Sequence, residues 1–219
     1  MEFEKITILM PIYNGIEFLN ESIESIIKQT YTNWNLLIGI NGHLENSDTY
    51  KFANTFTNDK IKVMDFFNIK GKSETLNEML KFVDTHWIAL LDVDDIWLPY
   101  KLEEQIPYLQ NYDVIGTHCQ YFGNSNKKPT LPYGDLSDFN FLNYNPIINS
   151  SSLIKKELCY WDKNFNGVED YDLWLRLWKS NKKFYNVNKI LVLHRLHNES
   201  AFNAKGNHLK VHDLLSKYK

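Results

Sequence analysis

The stretch Trp87-Ile88-Ala89-Leu90-Leu91-Asp92-Val93-Asp94-Asp95-Ile96-Trp97-Leu98-Pro99 decides the fold. Trp87 to Leu91 is apolar without alternation, the pattern of a strand buried on both faces. It ends abruptly in Asp92, Asp94 and Asp95. Carboxylates this close repel one another, which drives their pKa values up unless a positive charge sits among them. A divalent cation supplies that charge. Hard oxygen ligands suit magnesium or manganese, which take one or two carboxylates plus the phosphates of a substrate. In open α/β sheets, ligands bind just beyond the carboxyl ends of strands. The stretch therefore predicts a metal-bound, phosphorylated ligand at a strand end. The plainer alternative is that Asp94 or Asp95 caps a helix starting near Pro99, but a cap needs only one Asp.

Upstream, strands and helices alternate. Ile6 to Pro11, Trp34 to Ile40 and Ile61 to Phe67 read as strands, with Trp87 to Leu91 the fourth. Between them, Ile16 to Gln29 reads as a helix with Phe18, Leu19, Ile23, Ile26 and Ile27 on one apolar face. Asn46 to Phe56 is helical, and Ser73 caps a helix running to Val83. This βαβαβαβ order argues for a mainly parallel sheet with right-handed crossovers, a Rossmann-like nucleotide-binding half.

Beyond Pro99 the pattern loosens. Lys101 to Leu109 and Asp170 to Lys179 read as helices, the second with Leu173/Leu177 and Trp174/Trp178 at i,i+4 spacing. Val114 to Phe122, Asn149 to Lys155 and Lys183 to Leu193 read as strands, and His208 to Tyr218 is weakly amphipathic. Residues 123–146, rich in Asn, Gly, Pro, Ser and Asp, read as a mobile loop. Such a loop is expected to order over the site when a ligand binds. The chain is expected to form a single domain over 1–219, with a nucleotide-binding half (1–98) and a smaller acceptor-side lobe (99–219).

Composition narrows the function. The chain has 219 residues, 43% of them hydrophobic, with 13 Tyr, 13 Phe and 6 Trp, enough for a substantial core. The net charge of −3 makes nucleic acid a poor partner. Cys119 and Cys159 lie far apart without metal-ligand spacing and read as buried thiols in a reducing compartment. Ile6 to Met10 is too short for a signal peptide, and no stretch approaches the roughly 20 apolar residues of a membrane span. The sequons at Asn20, Asn149 and Asn198 carry no weight without an export signal. A soluble, cytoplasmic protein is expected.

Further candidate site residues lie at strand and helix ends. After the first strand come Pro11-Ile12-Tyr13-Asn14-Gly15, where Pro11 should stop pairing and Tyr13 either stacks on a base or packs. Asn41 after the second strand either reads a base edge or begins an Asn41-Gly42 turn. Gly71-Lys72-Ser73 holds a phosphate or is an ordinary helix start. Glu169-Asp170-Tyr171-Asp172 opens the Trp-rich helix, where the macrodipole keeps a carboxylate ionised and able to accept a proton. Arg195 and His197, in His194-Arg195-Leu196-His197, would share a strand face and bind a diphosphate or a metal; the alternative is a polar strand edge. Neither Gly-x-Gly-x-x-Gly nor a P-loop is present after the first strand.

Taken in order, five motifs resemble family 2 glycosyltransferases with the GT-A fold. They are Ile-Thr-Ile-Leu-Met-Pro-Ile-Tyr-Asn-Gly from Ile6, Leu-Asn-Glu-Ser-Ile-Glu-Ser-Ile-Ile-Lys-Gln-Thr-Tyr from Leu19, Leu-Leu-Asp-Val-Asp-Asp-Ile-Trp-Leu-Pro from Leu90, Glu-Asp-Tyr-Asp-Leu-Trp-Leu-Arg-Leu from Glu169, and Arg-Leu-His-Asn-Glu-Ser from Arg195. The resemblance covers roughly residues 5 to 203. It implies an inverting, Mn2+- or Mg2+-dependent transfer of a sugar from a nucleotide-diphosphate donor, UDP-linked by preference, to an acceptor hydroxyl in glycan assembly. It implies that Asp92 and Asp94 belong to an Asp-x-Asp motif, with Asp94 the main metal ligand and Asp92 near ribose and metal. Asp170 matches the catalytic base, Pro11 and Tyr13 the base pocket, and His197 a position near the diphosphate. Two departures bear on the donor: Asn41 stands where an Asp often reads the base, and Leu76 where an Arg is common. Neither the membrane helices of processive members nor an added acceptor domain is expected. A scaffold that kept the fold without catalysis is the alternative, disfavoured by retention of both acidic clusters. A sugar-phosphate nucleotidyltransferase would want an Arg- and Lys-bearing loop after the first strand, which is absent.

Overall fold

A computed structural model describes residues 4–198 and 207–218. Its nine strands form one sheet that runs through both halves of the chain. The first half follows the expected alternation: β1 (Ile6–Ile12), β2 (Trp34–Asn41), β3 (Ile61–Phe66) and β4 (Trp87–Leu90), separated by α1 (Leu19–Ile27), α2 (Asp48–Asn54) and α3 (Lys72–Met79). These four strands are parallel, in the order β3-β2-β1-β4. The sheet continues as β8-β6-β9-β5, from β5 (Ile96–Trp97), β6 (Val114–Gly123), β8 (Leu153–Lys155) and β9 (Phe184–Leu196), and β7 (Gly134–Asp135) pairs with β9. Strand β8 runs antiparallel to β4 and β6, while β6 and β9 are parallel. Helices α4 (Lys101–Gln105), α5 (Glu169–Lys179) and α6 (Asn207–Ser216) complete the chain.

Burial follows the strand pattern. Ile6, Ile8, Met10 and Ile12 face one apolar cluster and Leu9 the other, so β1 is covered on both sides. Leu173, Trp174 and Leu175 are fully buried, and Trp178 stacks on Phe141 with centroids 5.6 Å apart. These contacts seat α5 so that its N-terminus points at the C-terminal edge of the sheet region carrying Asp92.

Several sequence expectations need correction. Pro11 does not end β1; it sits opposite Gly39, and the strand continues to Ile12. Residues 16–18 form a 3-10 turn before α1, and Ile27 is 59% exposed rather than in the core. Ser73 does not cap α3. That position falls to Gly71, while the Ser73 hydroxyl donates to the Asp162 carbonyl. Gly71 has φ 99°, and a Cβ there would lie 2.7 Å from Asn166 Nδ2, so a side chain is excluded on two counts. The expected helix over 101–109 stops at Gln105 and continues as a 3-10 turn containing Pro107. The expected strand from Asn149 starts only at Leu153, because Asn149–Ser151 is a 3-10 turn.

Part of the expected mobile loop over 123–146 is anchored. It contributes β7 and buries Leu131, Leu136 and Phe141, and Phe141 packs against both Trp178 and Phe184. Leu136 and Phe141 tie the later part of the segment to the core, while Leu131 lines the cavity. Strand β9 extends past the expected Leu193 to Leu196, which places His194 and Arg195 in the sheet.

Candidate active site

A cavity of about 920 Å³ opens at the carboxyl ends of β1, β2 and β4. Pro11, Tyr13, Asn41, Lys72, Asp92, Asp94, Asp170 and His197 all line it, so eight of the nine expected site residues converge. Tyr13 is 57% exposed, and its carbonyl lies 2.6 Å from His43 Nε2. Beneath it Gly42 adopts φ 73°, and a Cβ there would come within 2.8 Å of the Tyr13 ring. Asn41 ends β2 rather than starting a turn and is 2% exposed at the cavity wall. Leu76 is fully buried in the apolar core, so the position where an Arg is common does not reach the cavity in this chain.

The two acidic clusters meet through one cation. Lys72 Nζ lies 2.5 Å from Asp92 Oδ1 and 3.5 Å from Glu169 Oε1. Lys72 is thus bound to carboxylates, where the sequence suggested a phosphate or a plain helix start. Burial alone would lower its pKa, but Asp92 and Glu169 hold it above the usual lysine range. Burial would raise the Asp92 carboxyl, and Lys72 overrides this, keeping it below its ordinary value. Asn149 Nδ2 adds bonds of 3.1 and 3.0 Å to the two Asp92 oxygens, and the Asp92 amide donates to Ser150 Oγ at 3.1 Å. Asn149, which heads a sequon, therefore has its amide committed inside the cavity.

Asp94 differs. Burial raises its carboxyl, and the nearby charges of Asp95 and Asp92 raise it further, against one hydrogen bond from His197 Nε2 at 3.1 Å. Asp95 is fully buried and accepts from His194 Nδ1 (3.0 Å) and the Arg195 amide (2.9 Å). Asp95 pushes the His194 imidazole up to about 9 against the opposing effect of burial.

Asp94 and His197 face the cavity together, and Asp94 carries the repulsion of Asp95 and Asp92. A carboxylate and an imidazole suit Mn2+ or Mg2+ with substrate phosphates completing the shell. Among the described residues, no three His, Cys, Asp or Glu side chains group as metal ligands. Both Asp92 oxygens are already occupied, which fits it less well than Asp94 to the metal role expected for both. Glu199 and Ser200, which close the last motif, lie outside the described residues.

Arg195 is the exception among the expected site residues. It does not line the cavity. Its guanidinium carbon lies 4.4 Å from the Phe18 ring centroid and 4.2 Å from that of Phe122. It pairs with Glu21, and Nε donates to the Asp94 carbonyl at 2.8 Å. Neighbouring side chains alternate across β9, so His194 faces the cavity and Arg195 turns away. Arg195→Lys should lower the Tm by several degrees through the lost stacking and fork geometry, yet leave the nucleotide-induced Tm shift intact. Selective loss of that shift would return Arg195 to the donor site.

Asp170 stands at the first turn of α5. The helix start is expected to keep its carboxyl ionised, but burial and the adjacent Glu169 outweigh the macrodipole and push it up to about 6, with Lys72 pulling the other way. Its Oδ2 accepts from Asn145 Nδ2 at 3.0 Å. Glu169 itself is turned back, with Oε2 accepting from the Gly167 amide at 2.5 Å. Neither Asn145 nor Asn149 was identifiable beforehand. Neutral amides in a polar loop carry no charge signal, and Asn145-Pro146 reads as turn chemistry.

This sheet and cavity match solved sugar-transferring enzymes. The S. aureus TarS structure with UDP-GlcNAc superposes with a TM-score of 0.79 at 14% identity, covering 98% of this chain and 66% of that one. The mannosyltransferase PcManGT from Pyrobaculum calidifontis, in complex with GDP-Man and Mn2+, superposes with a TM-score of 0.67 at 13% identity over 90% of this chain and 59% of its own. The fold is thus GT-A, a mixed α/β sheet with its cavity at the carboxyl edge of the parallel half.

The Glycosyl transferase family 2 model matches residues 7–162. The UDP-Glc:alpha-D-GlcNAc-diphosphoundecaprenol beta-1,3-glucosyltransferase WfgD of Escherichia coli is 30% identical over 216 residues, 94% of this chain and 82% of the relative. WfaP, of the same description and organism, is 26% identical over 203 residues, 89% of this chain and 78% of the relative. The chain belongs to glycosyltransferase family 2.

Proposed function

We propose that this enzyme moves a sugar from a UDP-sugar to a hydroxyl of a lipid-diphosphate-linked sugar acceptor during glycan assembly, with inversion at the transferred carbon. The observation that carries this reading is the Lys72 bridge, which brings the donor-side Asp92 and the base-side Glu169 and Asp170 to one cavity. The UDP-bound structural neighbours and the descriptions of WfgD and WfaP support the donor and acceptor classes. An apolar wall from Leu131, Val168, Val211 and Leu215 on the acceptor side suits a lipid-bearing acceptor.

Asp170, ionised, takes the proton of the acceptor hydroxyl. The acceptor oxygen bonds to the anomeric carbon as the bond from that carbon to the diphosphate oxygen breaks, in one in-line displacement. Tyr13 and Asn41 hold the base. Asp94 and His197, with Asp92 beside them, would hold Mn2+ or Mg2+, which when bound offsets the charge of the departing nucleoside diphosphate. Among the described residues, no helix is long and apolar enough to cross a membrane. The free thiols Cys119 and Cys159 agree with action in the cytoplasm.

The test is a Tm series with UDP, GDP, CDP, dTDP and ADP, each with and without manganese. A ligand at about a hundred times its Kd stabilises the folded form by about 2.7 kcal/mol, a Tm rise of about 5–10 °C for a chain this size. The expected result is a manganese-dependent rise with UDP, followed by UDP release from a UDP-sugar in the presence of a lipid-linked GlcNAc acceptor. A shift with another nucleotide alone would reassign the donor. No shift from well-folded protein would favour the non-catalytic scaffold.

A further inference from the structure

The segment from Asn145 to Ser151 joins the two acidic clusters by hydrogen bonds that do not involve Lys72. At one end Asn145 Nδ2 donates to Asp170 Oδ2 at 3.0 Å. Four residues later Asn149 Nδ2 reaches both oxygens of Asp92. Between them Ile147 is fully buried, and the Pro146 carbonyl accepts from Asn186 Nδ2 at 2.9 Å. The far end is pinned as well. Trp97 Nε1 donates to the Ser150 carbonyl at 2.7 Å, and Gln105 Nε2 donates to the Ser151 carbonyl at 2.8 Å.

The orientation of the Asn145 amide is fixed from within its own turn. Its Oδ1 accepts from the Ile147 amide at 3.1 Å. With the oxygen committed there, the NH2 group must face Asp170. The flipped amide would lose the turn and set an oxygen against a carboxylate oxygen. A directed bond of this kind holds the side-chain torsions of a carboxylate that has to meet one particular hydroxyl. Misplacing a reacting group by about 1 Å costs about a hundredfold in rate.

We propose that Asn145 is a positioning residue that orients the Asp170 carboxylate toward the acceptor, with the pinned segment 145–151 fixing the base relative to the donor-side Asp92. This rests on the reading of Asp170 as the base. Two variants separate positioning from plain loop structure. Asn145→Ser and Asn145→Asp both keep an oxygen for the Ile147 turn, but neither can donate to Asp170 as the amide does. For Asn145→Ser, kcat should fall by about a hundredfold while donor KM stays within about twofold, because only the chemical step has lost an interaction. Asn145→Asp should lose more, since like charges then oppose each other. The UDP-induced Tm shift should persist in both, showing an intact donor site.

A kcat within about threefold of wild type in Asn145→Ser would overturn the proposal. So would a loss that appears as a rise in donor KM, which would move Asn145 into donor binding. Asp170→Asn is the control. If it retains wild-type transfer, the base assignment itself fails. If it is inactive while Asn145→Ser is not, only the positioning role fails.

Discussion

Asp170→Asn should lower transfer by about a thousandfold or more, in keeping with the contribution of a general base, and leave UDP binding unchanged. The substitution keeps the shape of the side chain and an oxygen able to accept from Asn145, so the cavity keeps its form. What it removes is the group that takes the proton. The wild-type pH profile carries the same signature. With its carboxyl pushed up to about 6 by burial and by Glu169, Asp170 accepts a proton only in the ionised form above that pH. The rate should therefore fall about tenfold per unit as the pH drops below about 6, and the profile can be read from UDP release across pH 4.5 to 8. Stability moves the opposite way. The folded state binds this proton more tightly than the unfolded chain, whose value is near 3.8. Stability from this group is thus fully present below 3.8 and is lost as the pH rises through 6. Asp170→Asn should accordingly have a higher Tm than wild type at pH 7, with the gain shrinking toward pH 4. Transfer that survives in Asp170→Asn would place the base elsewhere.

Lys72→Met should lower both stability and the pH range of activity. Lys72 contacts Asp92 at 2.5 Å and Glu169 at 3.5 Å, and its charge also pulls down the Asp170 carboxyl. The Lys72 and Asp92 side chains keep 30% and 24% exposure, so losing the cation costs less than in a fully buried pair, about 1–3 kcal/mol. At about 2–4 °C per kcal/mol, the Tm should drop by about 2–12 °C. The activity that remains should shift its acid limb above 6, since Asp170 loses a neighbouring cation. Asp92 contributes in the other direction. Its folded pKa is lowered, so its stabilisation is present above the ordinary value of 3.8 and lost as the pH falls below it. In Lys72→Met that acid-dependent loss should largely vanish from the Tm profile. Lys72→Arg should recover part of the Tm. A Lys72→Met protein with wild-type Tm and wild-type pH profile would mean that the bridge is not energetically coupled to the site.

The sequence by itself determined the parallel half of the sheet. Trp87–Leu91 is apolar on every residue and Ile6–Met10 on all but Thr7, and burial on both faces is the stable arrangement for such strands. It also marked candidate site positions, because Asp92 and Asp94 follow directly on an apolar strand and Asp170 opens an amphipathic helix. Local information was insufficient at three places. Arg195 and His197 looked equivalent beside a strand end, but the course of β9 turned Arg195 away, between Phe18 and Phe122. Residues 123–146 read as a mobile loop, but Leu136 and Phe141 find a core supplied by distant elements. Lys72 read as either a phosphate ligand or part of an ordinary helix start, and only the fold brought Asp92, 20 positions away, and Glu169, from the far half of the chain, onto it. Asn145 and Asn149 carried no signal, because an amide becomes informative only when its partner is known. Periodicity and charge are properties of a segment and can be read from it. The pairing of Asn145 with Asp170 and of Asn149 with Asp92 depends on which surfaces the sheet brings together, and only the tertiary structure decides that.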